Sequence, residues 1–406
     1  MPWREMSPME QRLQFVREWE RTLFTMTELA AQYGISRKTG YKWLERYEAE
    51  GAMALLHRSR RPHHHPHATD PELVEVLVEL RQRHPRWGAR KLLAVAARRG
   101  PQATWPCRST VCALLKDRGL VRPRRRRHRP GSGPRPQAPM AANDVWTADF
   151  KGEFRTGDRV YCYPLTLRDG FSRFVLRCDA LTGTTYAATR RRFERAFAEY
   201  GLPHRMRSDN GPPFAGTGLA RLSRLAVWWI RLGIVPERIA VGHPEQNGSH
   251  EQFHAVLKAH TTRPPAASVR AQQRRFDTFR AEYNQDRPHE ALADRSPAML
   301  YRPSPRPLPR RLPPIDYPGH LEVHRVYGNG CVWWRNHVLF LSNALIGEDV
   351  AFEEVDDAWW TVYFAHVPLV RFDERHRRLH PIVTFTQGRS ASFAGSAPVN
   401  GDQKER

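Results

Sequence analysis

Asp149, Asp209 and Glu251 stand in three short settings whose residue types could do phosphodiester chemistry. The settings are Trp146-Thr147-Ala148-Asp149-Phe150, Arg207-Ser208-Asp209-Asn210-Gly211 and Pro244-Glu245-Gln246-Asn247-Gly248-Ser249-His250-Glu251. That chemistry asks little of a protein beyond well-placed charge. Carboxylates gather two divalent cations, which activate a nucleophile and neutralise a departing oxygen. Any one of these acids alone reads as a solvated surface group. The three settings in this order carry the signal.

The bulk composition is consistent with a polyanionic partner. The chain has 406 residues, enough for two to four domains, and a net charge of +23 from 65 Lys plus Arg against 42 Asp plus Glu. Nucleic acid is the default partner for such an excess, the alternative being a generally solubilising surface. Residues 1–140 hold 28 basic and 13 acidic side chains, a net of +15, so most of the excess lies in the first third. The five cysteines, Cys107, Cys112, Cys162, Cys178 and Cys331, are scattered and form no CxxC pair. They fit thiols of a reducing compartment used as small apolar residues. No apolar run approaches the ~20 residues of a membrane span, and the N-terminus lacks a signal-peptide core. The expectation is a soluble, intracellular protein with no membrane partner.

Elements that would position the acids can be read from local signals. Ser7-Pro8-Met9-Glu10 and Thr25-Met26-Thr27-Glu28 are capping boxes, and Ser36 after Gly34-Ile35 starts a third helix. Short helix, Gly turn, Ser-capped helix is the helix-turn-helix pattern, predicted over 1–57. Arg37, Lys38, Thr39 and Lys42 lie in the N-terminal half of its third helix, where base contacts come from. A second such unit is predicted over 68–121, with helix starts at Thr69-Asp70-Pro71-Glu72, near Trp87-Gly88, and at Ser109-Thr110. Residues 121–140 hold seven Arg, five Pro and no acid. They predict a basic linker, 122–142, with Arg122, Arg124, Arg125 and Arg126 along a phosphate backbone.

From Asn143 the pattern changes to strands at 144–151, 160–167, 172–179 and 204–208. Helices are expected at 184–200, 212–232, from 245 or 246 to about 260, and at 269–284, with a further strand at 238–241. The order β-β-β-α-β-α-β-α implies a mixed sheet flanked by helices. Short alternating strands over 317–386, with a hairpin signal at Asn329-Gly330, predict a small β-barrel. Residues 387–406 lack apolar periodicity and predict a disordered tail.

Over 143–302 the chain resembles the DDE transposases and retroviral integrases, and more closely the insertion-sequence transposases of bacteria with an N-terminal helix-turn-helix. The resemblance rests on six ordered motifs. They are Trp146 to Gly152, Tyr163-Pro164-Leu165-Thr166, Asp169-Gly170-Phe171-Ser172-Arg173, Ser208-Asp209-Asn210-Gly211, Pro244 to Glu251 with Lys258, and Tyr283-Asn284 to Arg287-Pro288-His289. It implies a multidomain α plus α/β protein with a ribonuclease H-like core. It also implies Asp149, Asp209 and Glu251 as catalytic residues holding two Mg²⁺ (or Mn²⁺) ions. Asp149 would bridge the pair, and Asn247 and Lys258 would meet DNA. The implied activity is binding of the terminal inverted repeats, 3′-end cleavage and strand transfer into target DNA. The partner is double-stranded DNA, handled by a homodimer or larger assembly. The alternatives are a DNA-binding regulator without catalysis and a metal-dependent nuclease that does not join. The family's usual Asp-to-Glu separation falls nearer Glu245, 36 positions after Asp209, than Glu251, 42 positions after. Glu251 is preferred because Asn247-Gly248 precede it and Lys258 follows two helical turns later on the same face. Asp169 is expected to be structural, with Arg173 as partner, and Asp144 and Asp158 to sit at turns or strand edges.

Overall fold

The computed structural model describes residues 6–58, 68–121, 138–216, 222–238 and 248–382. Arg122, Arg124, Arg125, Arg126, Asn247, Glu245 and the tail 387–406 lie outside the described residues. The chain divides into two compact units, Met1–Asp70 and Pro71–Arg406.

In the first unit, α1 (Pro8–Glu20), α2 (Met26–Gln32) and α3 (Arg37–Glu50) start where the caps predict. Both capping boxes form, and the Ser36 hydroxyl accepts from the Thr39 amide. Each cap satisfies amides that an α-helix leaves without partners, a contribution of about 1 kcal/mol. Gly34 takes φ +63° in the turn between α2 and α3, a conformation glycine adopts without Cβ strain. Phe15, Val16, Met26, Leu29, Leu44 and Leu55 form the core.

The second unit opens with α4 (Pro71–Arg83), α5 (Ala89–Arg99) and α6 (Arg108–Asp117), packed around Leu77, Leu80, Trp87, Leu92, Val95, Val111 and Leu115. The third start was expected at Ser109-Thr110. The helix instead begins at Arg108 with Cys107 as N-cap, and the Cys107 thiol contacts both hydroxyls at 3.0 and 3.1 Å. This helical module belongs to the same compact unit as the sheet that follows.

That sheet contains β1 (Val145–Phe150), β2 (Phe154–Arg155), β3 (Tyr161–Asp169), β4 (Val175–Leu181), β5 (Arg205–Ser208) and β6 (Val235–Arg238). The strand order is β2-β3-β1-β5-β6, with β4 also paired to β3. β1 and β4 run antiparallel to β3, whereas β1, β5 and β6 are mutually parallel. The helices are α7 (Tyr186–Tyr200), α8 (Arg224–Arg231), α9 (Gly248–Thr261) and α10 (Val269–Gln285). The mixed sheet and its order match the expectation; three local readings are corrected. β6 starts at Val235 rather than 238, because Glu237 is stabilised in the strand by ion pairs to Arg205 and Arg207. Of the helix expected over 212–232, the described residues show 224–231 as helical, and Pro212-Pro213 lies in a turn. β2 is a two-residue strand too short to show a period.

The C-terminal strands are β7 (Glu322–Arg325), β8 (Cys331–Trp334), β9 (His337–Phe340), β10 (Asp349–Asp356), β11 (Trp359–Phe364), β12 (Val367–Asp373) and β13 (Arg378–Pro381). They form a five-stranded antiparallel sheet, β13-β12-β11-β10-β7, and a separate β8-β9 hairpin. The expected barrel thus takes the form of an open sheet with a hairpin: among the described residues no ladder joins β13 to β7. Its core includes Ala226, Val227 and Ile230 of α8, while Leu225, Trp228 and Trp229 of the same helix pack under the mixed sheet. A helix buried all round in this way joins two layers. Among the described residues no helix is long and apolar enough to cross a membrane.

Candidate functional site

The register of the mixed sheet brings the two aspartates together. Ala148 of β1 lies opposite Ser208 of the parallel β5, so Asp149 and Asp209 are the next residues at neighbouring strand ends. Adjacent strands run about 4.8 Å apart, so the two aspartates occupy neighbouring backbone positions. Alternation sets the faces. Trp146, Ala148, Leu165, Leu167 and Met206 point into the core beneath α7 and α8. Thr147, Asp149, Thr166, Arg168 and Arg207 share the other face, which α9 covers.

Asp209 sits in a mostly buried position. Burial raises its carboxyl pKa, and the Gly211 amide donating to Oδ1 at 3.3 Å offsets this only in part. The Lys151 ammonium is lowered by burial and by the nearby Lys258 charge, while Asp149 pulls it up. Lys151, Lys258 and Asp149 are therefore close neighbours in the electrostatic sense. Glu251 is exposed in the first turn of α9, and Lys258 is exposed on the same face.

The inward face of α9 carries His250, Phe253, His254 and Leu257, all buried. The two histidines form a polar seam with the sheet. His250 Nδ1 lies 3.0 Å from Thr147 Oγ1, and His250 Nε2 lies 2.7 Å from Thr166 Oγ1. His254 Nε2 is 2.9 Å from the same Thr166 hydroxyl, which donates to the Asp149 carbonyl at 3.1 Å. His254 Nδ1 lies 3.7 Å from Asp149 Oδ2. Burial keeps both rings neutral, and with the Lys151 and Arg168 charges brings His254 down to about 3. Asp149, His250 and His254 form the one group of possible metal-ligating atoms among the described residues, all within 4.8 Å. Both His250 nitrogens are taken by hydroxyls, so the group acts as a brace beneath Asp149 rather than a closed ligand set.

Arg168 donates to the Ser249 carbonyl at 3.0 Å and, with Arg173, to the Ser249 hydroxyl, fixing the start of α9. This corrects the partner expected for Asp169. That buried carboxylate accepts from the Asn143 amide at 2.8 Å and from the Ser172 amide and hydroxyl at 2.7 and 2.6 Å. Asp144 pairs with Arg205, and Asp158 accepts from Thr156 in a turn, as expected.

Sequence reading missed the brace of Thr147, Thr166, His250 and His254. Its signal was present: His250, Phe253, His254 and Leu257 recur at helical spacing, so the histidines had to face inward. In the first unit, Arg37, Lys38 and Lys42 are exposed along α3, and the Thr39 hydroxyl lies 2.9 Å from that of Ser36.

Two helix-turn-helix family models match the N-terminal region: a helix-turn-helix domain over residues 11–63 and a homeodomain-like domain over 39–115. Two integrase core domain models match 139–244 and 232–297. Among curated proteins, the chain is 30% identical over 251 residues to the "Insertion element IS407 uncharacterized 31.7 kDa protein" of Burkholderia multivorans, spanning 59% of this chain and 83% of that protein. It is 30% identical over 229 residues to the "Insertion element IS476 uncharacterized 39.2 kDa protein" of Xanthomonas euvesicatoria, spanning 55% of this chain and 63% of that protein. Among solved structures, the HTLV-2 integrase catalytic core domain in complex with magnesium aligns at 15% identity and TM-score 0.32, over 40% of this chain and 99% of that one. The simian T-cell lymphotropic virus intasome in complex with PP2A regulatory subunit B56 gamma aligns at 16% and 0.35, over 72% and 98%.

Proposed function

We propose a reaction for this chain from one premise: it belongs to the transposases of bacterial insertion sequences that carry helix-turn-helix units and an integrase core. It binds the terminal inverted repeats of its own element, hydrolyses one strand at each end to free a 3′-hydroxyl, and joins that hydroxyl to target DNA. The observation that carries this reading is the β1/β5 register, which sets Asp149 beside Asp209 at parallel strand ends.

Asp149, Asp209 and Glu251 offer only oxygen donors, the set that suits a hard divalent cation. The burial-raised carboxyl of Asp209 supports the fit, since a nearby cation would stabilise its charged form. When bound, two Mg²⁺ (or Mn²⁺) ions supply activation of the attacking oxygen and neutralisation of the departing one. The protein's own groups do the positioning. Thr166 holds the Asp149 segment through its hydroxyl, which donates to the Asp149 carbonyl. Arg168 and Arg173 fix the first turn of α9, from which Glu251 completes the acidic set. Lys258, two turns on, meets a phosphate of the DNA end as a compact point charge, and Asn247 contacts the same DNA. Arg37, Lys38, Thr39 and Lys42 read the end sequence from α3, and the arginines 122, 124, 125 and 126 follow the backbone. The chain works as a homodimer or larger assembly, because two ends must meet.

The test is incubation of the purified chain with DNA carrying the parent element's ends, with and without Mg²⁺, followed by mapping of nicks. Pre-cut ends separate joining from cutting: products longer than the substrate show strand transfer. Asp149→Asn should abolish nicking and leave end binding intact. If end binding disappears with it, binding and chemistry are not the separate modules proposed.

A further inference from the structure

Where α5 meets the rest of the second unit, two cations stand without an ion-pair partner among the described residues, and Asp294 Oδ1 is buried without a hydrogen bond. Arg90 Nε lies 2.8 Å from Asp294 Oδ2, and its Nη1 lies 2.6 Å from Glu290 Oε1. Arg98 donates to the Asp286 carbonyl at 2.7 Å. These clamps hold Lys91, next to Arg90 on α5, against the segment after α10 that carries Arg287 and His289. Among the described residues, neither Lys91 nor Arg287 forms an ion pair. Asp294 and Glu290 are the nearby carboxylates, and both already serve Arg90; Glu282 faces His84 at 3.0 Å.

Two further observations point into the same place. His289 Nε2 and His260 Nε2 are buried with no hydrogen-bond partner. His289 packs against Tyr283 at 4.8 Å between ring centroids, and the Arg287 guanidinium lies 5.7 Å from the same ring. The Lys91 ammonium is pushed down to about 8, by burial first and then by Arg287, with Asp294 and Glu290 opposing. After burial, the charges of Arg287, Lys91, Arg168 and Arg173 also work to lower His289. The start of α5 adds backbone amides, since Gly88 at its N-cap supplies no side-chain acceptor. Two half-buried cations without ion-pair partners, with imidazole nitrogens left unmet, cost free energy unless an anion joins them.

We propose that Lys91, Arg287 and His289 form a site for a phosphate group. That this phosphate belongs to a DNA backbone rests on the function proposed above. The charges of Arg168 and Arg173 act on His289, and the same two side chains hold the first turn of α9, so a bound strand would run on towards Asp149 and Asp209. It makes the helical module 71–121 part of the DNA channel beside the chemistry rather than only an end-binding arm.

The full chain and its Lys91→Met and Arg287→Met variants are melted in inorganic phosphate and in chloride at matched ionic strength. Binding of a short duplex of arbitrary sequence is measured across a salt series. Phosphate should raise the wild-type melting temperature beyond chloride, and Lys91→Met should lose that response. In chloride Lys91→Met should melt at or above wild type, because it removes a repelling charge, whereas Arg90→Met should melt lower. The slope of log affinity against log salt should shrink by about 1 in Lys91→Met. An unchanged phosphate response in Lys91→Met overturns the site, including when Arg287→Met fails to fold. Loss of the phosphate response with an unchanged salt slope overturns the DNA assignment and leaves a free-phosphate site. A wild type that binds no duplex under any condition sinks the function proposed above, while its phosphate response still reports on the pocket.

Discussion

Replacing Thr166 by valine tests the brace beneath Asp149. The two side chains have nearly the same shape, and Thr166 is fully buried, so packing is kept while one hydroxyl is lost. That hydroxyl meets His250 Nε2 at 2.7 Å, His254 Nε2 at 2.9 Å and the Asp149 carbonyl at 3.1 Å. Its removal leaves two buried imidazole nitrogens without that partner, at about 1–3 kcal/mol each. The expected loss is therefore about 2–6 kcal/mol, a large share of the roughly 5–15 kcal/mol that holds a domain folded. Thr166→Ser keeps the hydroxyl and gives up one methyl, about 1 kcal/mol. Denaturant unfolding of the full chain, followed by tryptophan fluorescence, compares the two variants. Nicking of element ends should fall in Thr166→Val and return in Thr166→Ser. Unfolding free energies for the valine and serine variants within about 1 kcal/mol of each other would refute the hub.

Asp209→Asn should abolish nicking yet raise the unfolding midpoint in EDTA, because it removes a carboxylate whose charge burial disfavours; a lower midpoint would mean the charge is stabilised in the empty site. Burial works to raise the Asp144 carboxyl, but the Met140 amide and the Arg205 guanidinium outweigh it and hold the group below its ordinary value. It thus contributes stability above the unfolded carboxyl value of about 4, lost as pH falls through the lower folded value. Asp144→Asn should lower the midpoint at neutral pH and flatten the acid-induced loss below about pH 4, readable by circular dichroism. Lys42→Ala and Arg37→Ala on exposed positions of α3 should weaken binding to element ends by about 1–3 kcal/mol for a base contact, without moving the melting temperature. Equal weakening on unrelated DNA would reassign these residues to phosphates.

Much of the site's framework is local, and local signals survive in one dimension. Ser7 with Glu10 and Thr25 with Glu28 are three residues apart, so their capping boxes could be read before any fold was known. The strands carrying Asp149 and Asp209 alternate apolar and polar residues for the same reason: a side chain's face follows its position in the strand. Glu237 shows where this stops. The local pattern predicts its strand from 238, whereas β6 begins at Val235, and the arginines that pair with Glu237 sit on a different strand.

The sequence by itself determined the helix-turn-helix starts, the mixed order of strands and helices, and the two aspartates at strand ends. Tertiary structure alone decided that α8 serves two cores, that Arg173 holds Ser249 rather than Asp169, and that Thr166 joins two histidines under Asp149. The physical reason is range. Caps and periods act over a few residues, whereas strand register and burial couple positions far apart along the chain, and they choose which charges and hydroxyls meet.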